Sequence, residues 1–193
     1  MHFYADYLQL LQDHGLLLAS LPRAIRPWTA QFICHLFDCR AFPRILEIGR
    51  GQGHSYGLFR WLSPQSLIVS VDPVPDPAAQ RIADAFPGPY QFIDMTSNAA
   101  FLQGLGQQFD LILIDGNHHH RAARQDWQHT LQVAAPEAVV LFDNLEHVDG
   151  CGKAFREIVV GGPVRRKLAQ CGDTSVWPRD KLSRGTFGVV LLR

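Results

Sequence analysis

The chain has 193 residues, 47% of them hydrophobic, which suits one soluble globular unit with a single sizeable core. Its eighteen basic and eighteen acidic residues cancel, so no global field draws it to nucleic acid or to an anionic membrane. Cys34, Cys39, Cys151 and Cys171 show neither a Cys-x-x-Cys pair nor a zinc spacing, and no basic start followed by an apolar stretch marks a secretory signal. Leu16-Leu17-Leu18-Ala19 is too short to span a bilayer. A cytoplasmic protein with reduced thiols is the expectation.

Apolar residues at three- and four-residue spacing predict amphipathic helices over 3–13 and 28–39, with Pro22 and Pro27 between them and Pro43 after the second. The period then changes. Strands are predicted at 44–48, 67–71, 90–93, 109–114, 138–142 and 186–192, with a weaker candidate near 164–169. Helices are predicted between them, near 55–62, 77–86, 97–104, 119–133 and 151–159. This alternation implies right-handed crossovers and a mostly parallel sheet covered on both faces. The run Leu111-Ile112-Leu113-Ile114 is what a central, doubly buried strand requires. Arg165-Arg166-Lys167, the one basic run, reads as a solvated strand end or turn. Residues 172–185 are the longest irregular segment, either a lid or a hairpin connection between the last two strands.

The sharpest motif is Ile45-Leu46-Glu47-Ile48-Gly49-Arg50-Gly51-Gln52-Gly53-His54-Ser55. An apolar strand breaks into three alternate glycines, which allow a tight turn and close approach of a ligand to the main chain. Ser55 is placed to N-cap the next helix. The spacing is not the Gly-x-Gly-x-x-Gly of dinucleotide binders, since His54 occupies the place of the third glycine. Glu47 would repel a pyrophosphate but suits a ligand carrying an ammonium or sulfonium group. Asp72 ends the second strand about twenty residues on, where an acidic side chain accepts both hydroxyls of a ribose; capping the helix near Pro77 is its plainer role. Asp94 ends the third strand and could face an adenine edge, while a capping role for Asp94, Thr96 or Ser97 competes with that reading.

The fourth strand ends in Asp115-Gly116-Asn117-His118-His119-His120, and the fifth in Asp143-Asn144-Leu145-Glu146-His147. Neighbouring parallel strands bring their ends to one crevice, so Asp115, Asp143 and Asn144 offer three oxygen ligands that suit Mg²⁺. Consecutive helical residues splay by about 100° each, which argues against a zinc or iron site on the three histidines. His118 is the candidate general base; His119 and His120 read as a solvated first helical turn. Trp127 reads as a core anchor.

In Glu47-x-Gly49-x-Gly51-x-Gly53, then Asp72, then Asp115, then Asp143-Asn144, the chain resembles the class I S-adenosylmethionine-dependent methyltransferases over about residues 28 to 193. The acidic pair resembles the metal-dependent O-methyltransferases, and Asp-Gly-x-His at 115–118 those acting on macrolide sugars. The resemblance implies a Rossmann-like, doubly wound, seven-stranded, mostly parallel sheet with helices on both faces and the last strand antiparallel. Residues 1–43 would be N-terminal helices packed on a methyltransferase domain of residues 44–193. Gly49, Gly51 and Gly53 would line the methionine part of S-adenosylmethionine, with Ser55 near its carboxylate, Glu47 near its amino end, Asp72 on the ribose, and Asp94, Thr96 and Asp115 also at the cofactor. Asp115, Asp143 and Asn144 would bind Mg²⁺ or another divalent cation, with His118 as the catalytic base.

The acceptor implied is a small hydroxylated molecule. Pro136-Glu137-Ala138 departs from the Gly-Gly entry usual before the fifth strand. Less chain precedes the first strand than in many relatives, which leaves the acceptor pocket unassigned or completed by a second subunit of a homo-oligomer. The rival readings are a metal-independent methyltransferase, a non-catalytic methyltransferase-like protein that holds cofactor or partner, and a nicotinamide oxidoreductase, the last disfavoured by Glu47 and His54.

Overall fold

The computed structural model describes residues 4–16, 25, 27–145, 147, 149–161, 164–171 and 187–192. The 172–185 segment lies outside them, as do the side chains of the Arg165-Arg166-Lys167 run. The chain divides into two compact units, Met1–Thr96 and Ser97–Arg193.

In the first unit, α1 (Tyr4–Asp13) and α2 (Pro27–Cys39) precede β1 (Arg44–Ile48), α3 (His54–Leu62), β2 (Leu67–Val71), α4 (Pro77–Ala85) and β3 (Tyr90–Ile93). The strands lie in the order β3-β2-β1, all parallel, with Arg44 opposite Leu67 and Val71 opposite Ile93. Ile45, Leu46, Ile68 and Val69 are completely buried, as strands covered on both faces require. Helix α1 is fastened by Tyr7, whose hydroxyl donates to the His54 carbonyl at 2.8 Å and whose ring stacks on Trp61 at 5.9 Å. Gly57 makes room for it: a Cβ there would lie 2.3 Å from the Tyr7 hydroxyl. Arg60, buried at the end of α3, donates to the carbonyls of Pro64 and Ser66 at 2.8 and 2.7 Å and to that of Pro89. One guanidinium thus ties the entries of β2 and β3 to the helix.

The second unit holds α5 (Ala99–Gly104), β4 (Phe109–Ile114), α6 (His120–Leu131), β5 (Ala134–Phe142), α7 (Cys151–Gly161), β6 (Val164–Cys171) and β7 (Phe187–Leu192). Strands β4 and β5 pair in parallel, while β7 runs antiparallel to both β5 and β6. The arrangement is α/β with a mixed sheet whose last strand is antiparallel. Strand β5 starts before the expected residue 138 because Pro136 and Glu137 are taken up in a bulge: the register with β4 shifts there and Glu137 has φ 60°. Pro136 offers no N–H to the ladder, which is why such a residue sits at a bulge. Trp127 is a core anchor, 5.8 Å from the Phe142 ring, which in turn meets Phe155 edge-on at 5.4 Å. Among the described residues no helix is long and apolar enough to cross a membrane.

Candidate functional site

Strand β1 runs directly into the glycine turn. Its three glycines have φ 95°, 49° and 85° at Gly49, Gly51 and Gly53, a region other residues enter only at a cost. The Gly49 N–H donates to the Val71 carbonyl at 2.8 Å, joining the turn to the end of β2, and the Gly53 N–H closes it on the Arg50 carbonyl at 2.9 Å. A Cβ on Gly51 would meet nothing within 4 Å, whereas one on Gly53 would lie 2.7 Å from Ala79 Cα. The turn is therefore open at Gly51 and packed against α4 at Gly53.

Asp72 holds this turn in place. Its Oδ2 accepts from the Gly51 N–H at 2.9 Å and its Oδ1 from the Val74 N–H at 2.8 Å. A carboxylate has about four lone-pair positions, so half-buried Asp72 keeps acceptor capacity for a ligand. It does not cap α4; Asp76 does, accepting from Ala78 N at 2.8 Å. Ser55 is likewise not an N-cap. The helix starts one residue earlier, after Gly53 in the left-handed region, and the Ser55 hydroxyl donates instead to Glu47 Oε1. Glu47 also accepts from the Ser70 hydroxyl and is completely buried. Glu47 and Ser55, expected at the two ends of an amino acid, thus bond to each other at the root of the turn. His54, where a dinucleotide turn has glycine, is buried, and that burial lowers its pKa.

At the end of β3, Asp94 accepts from Arg50 Nη2 at 2.7 Å, and the Arg50 guanidinium lies over the Phe92 ring at 4.4 Å. Arg50 carried no signal of its own, because nothing local says that the residue between two glycines reaches a strand end forty-four positions away. Thr96 is exposed. Neither Asp94, Thr96 nor Ser97 caps α5; Asn98 does, accepting from the Phe101 N–H at 3.1 Å.

In the second unit, the Asp143 N–H donates to the Ile114 carbonyl at 3.1 Å, so Asp115 and Asp143-Asn144 leave adjacent, hydrogen-bonded strand ends. Asn144 turns the chain with φ 59°, a conformation Asn tolerates better than most residues. His118 Nε2 lies 3.7 Å from Asp115 Oδ1, and its ring sits 4.8 Å from that of His147. Its carbonyl accepts from the Cys151 N–H at 3.1 Å, and Gly150 packs so tightly that a Cβ would fall 2.0 Å from that oxygen. The Cys151 thiol is pushed up to about 12, by burial first and then by the negative charges of Asp115, Asp126 and Asp143. Among the described residues, no three His, Cys, Asp or Glu side chains are grouped closely enough to hold a metal ion; two carboxylates and the Asn144 amide are what the strand ends offer.

An open cleft of about 610 Å³ is lined by Asn117, His118, His119, His120, His147 and Asp149. All three consecutive histidines line it, and His119 is exposed. Helix α6 starts only at His120, and His119 is its extended N-cap with φ −70° and ψ 140°. His120 also bonds Glu157 at 3.0 Å and is not simply solvated. His147 was the residue missed; its only signal is a histidine four positions after Asp143, at the end of a strand.

A family profile described as "Methyltransferase domain" matches residues 46–145. No curated protein matches the chain. Among solved structures, it is similar to the O-methyltransferase from Bacillus cereus in complex with SAH, at 18% identity and TM-score 0.63 over 97% of this chain and 89% of that one. It is also similar to the O-methyltransferase TomG from Streptomyces achromogenes in complex with SAM, at 18% identity and TM-score 0.64 over 98% and 89%. A third is the 1,6-didemethyltoxoflavin-N1-methyltransferase from Burkholderia thailandensis, at 16% identity and TM-score 0.65 over 98% and 88%. These likenesses establish a shared fold. With the profile covering more than half of its length, the chain belongs to the methyltransferase-domain family.

Proposed function

We propose that the protein transfers the methyl group of S-adenosylmethionine to an oxygen of a small hydroxylated acceptor, with a divalent cation held by Asp115, Asp143 and Asn144. The observation that carries the cofactor assignment is the clasp of Asp72 on the Gly51 N–H beneath an open surface. It leaves a main-chain seat beside a carboxylate suited to ribose hydroxyls. The acceptor half rests on Asp115 and Asp143 leaving paired strand ends with His118 3.7 Å from Asp115. Two carboxylates and one amide oxygen form a hard donor set of the kind Mg²⁺ takes alongside water or substrate oxygens. When bound, such an ion supplies Lewis-acid polarisation of an acceptor hydroxyl. His118 takes the proton released from that hydroxyl, and Asp115 keeps the imidazole oriented. Since S-adenosylmethionine carries the reactive carbon, the rest of the chain's contribution is positioning.

A metal-independent methyltransferase is the second reading. It is favoured by the absence, among the described residues, of three ionisable side chains grouped for a metal. Melting curves decide between them. Mg²⁺ should raise the melting temperature by mass action, and Asp115→Ala/Asp143→Ala should lose that rise. Methyl transfer that survives a chelator unchanged would leave the second reading standing.

A further inference from the structure

Three alternate residues of the turn each carry a buried polar atom with no hydrogen-bond partner among the described residues: Nε and Nη1 of Arg50, Oε1 of Gln52 and Nε2 of His54. The most constrained of them is Arg50. Its side chain is 2% exposed, and its guanidinium is held in one plane by the Phe92 ring at 4.4 Å and by Asp94 at 2.7 Å. A guanidinium has five N–H donors in a rigid fork. Burying donors without acceptors costs free energy that an arriving ligand can recover.

The place of these donors says what they would meet. The Asp72 N–H donates to the Ile93 carbonyl at 3.0 Å, so Asp72 and Asp94 stand at adjacent strand ends. If Asp72 takes the ribose, the base lies towards Asp94. There Asp94 accepts from Arg50 Nη2 through Oδ1, which leaves the second carboxylate oxygen of Asp94 to accept from a ligand held by the same guanidinium. An acceptor next to a donor is the complement of adenine, whose amino group donates beside a ring nitrogen that accepts.

We propose that Arg50 and Asp94 form a paired donor–acceptor edge that reads the adenine of the cofactor, with Arg50 donating to a ring nitrogen. This rests on the reading of the turn as an S-adenosylmethionine site. It makes Arg50 a specificity-determining residue, beyond any role in balancing the charge of Asp94.

The test is calorimetric titration of the intact protein and of the Arg50→Lys, Arg50→Gln and Asp72→Ala variants. Two ligands are used: S-adenosylhomocysteine, and 5′-methylthioadenosine, which keeps the adenosine but lacks the amino-acid part. Melting curves confirm folding. Arg50→Lys keeps the charge beside Asp94 and loses the planar fork, so a purely structural role would leave its affinities near those of the parent. The expected result is that Arg50→Lys and Arg50→Gln weaken both ligands by the same factor, roughly tenfold or more. Two results overturn the inference. One is weakening of S-adenosylhomocysteine alone, which would place Arg50 on the ligand carboxylate. The other is no weakening of either ligand while Asp72→Ala loses both. Failure of the parent itself to bind S-adenosylhomocysteine would remove the cofactor reading and the Arg50 assignment together.

Discussion

Gly51 and Gly53 both have positive φ, yet alanine at the two positions should have separable consequences. At Gly51 the backbone sits at φ 49° and a Cβ meets nothing within 4 Å. The cost to folding is the left-handed conformation alone, about 1–2 kcal/mol. At Gly53, φ is 85° and the new Cβ falls 2.7 Å from Ala79 Cα and 3.0 Å from its Cβ. Backbone of α4 cannot swing aside as a flexible side chain would, so an overpacking term of about 1–3 kcal/mol adds to the conformational one. Gly53→Ala should therefore lose about 2–5 kcal/mol. At roughly 2–4 °C per kcal/mol for a chain of this size, Gly53→Ala should melt distinctly lower than Gly51→Ala.

Ligand binding should separate the two variants in the opposite sense. Gly51→Ala puts a methyl group on the open side of the turn, so a folded protein should bind S-adenosylhomocysteine at least about tenfold more weakly, through lost close approach of the main chain. Thermal melts by circular dichroism and calorimetric titration read the two effects. Equal destabilisation of the two variants would refute the packing argument at Gly53. Parent-like ligand affinity in Gly51→Ala would refute the open face as the cofactor's seat.

Two further outcomes concern pH. Burial raises the pKa of Asp126 above its ordinary value of 3.8, against the opposing pull of the Ser97 hydroxyl and the charge of His129. The folded state thus favours the protonated acid. That stability is fully present below pH 3.8 and lost as pH rises through the folded pKa. Asp126→Asn, which does not titrate, should gain in melting temperature relative to the parent between pH 4 and pH 7; a difference constant across that range would contradict the assignment. Burial lowers the pKa of His54 below 6.5, so its neutral form is the folded one, and stability should fall as pH drops below 6.5. His54→Asn should flatten that acid limb, and an unchanged limb would show that another group causes it.

Local order was legible because the punctuation is strong. β1, β2, β3 and β4 occupy the residue ranges read from their apolar runs, and every end but the start of β4, which follows Gln108, is bounded by Gly, Pro, Asp or Ser. β5 was misplaced at its start because Pro136-Glu137 looked like an entry turn and is a bulge inside the strand. Ser55 was misread for a related reason. A glycine in the left-handed region advanced the helix by one residue and turned the hydroxyl back onto Glu47. Asp72 and Asp115 could be placed at strand ends from the sequence alone, since strand order fixes where a strand's last residue emerges. The pairings Arg50–Asp94 and His118–His147 could not. Each joins side chains on separate loops and depends on how far a side chain reaches across neighbouring strand ends, which no local pattern encodes.

The turn from Glu47 to Ser55 should seat S-adenosylmethionine and not a dinucleotide. Parallel calorimetric titrations of the intact protein with S-adenosylhomocysteine and with NAD test it most directly. One S-adenosylhomocysteine should bind per chain, weakened by Asp72→Ala, with no heat from NAD, whose pyrophosphate meets His54 where its own turn has glycine. Saturable binding of NAD, with none of S-adenosylhomocysteine, would contradict it.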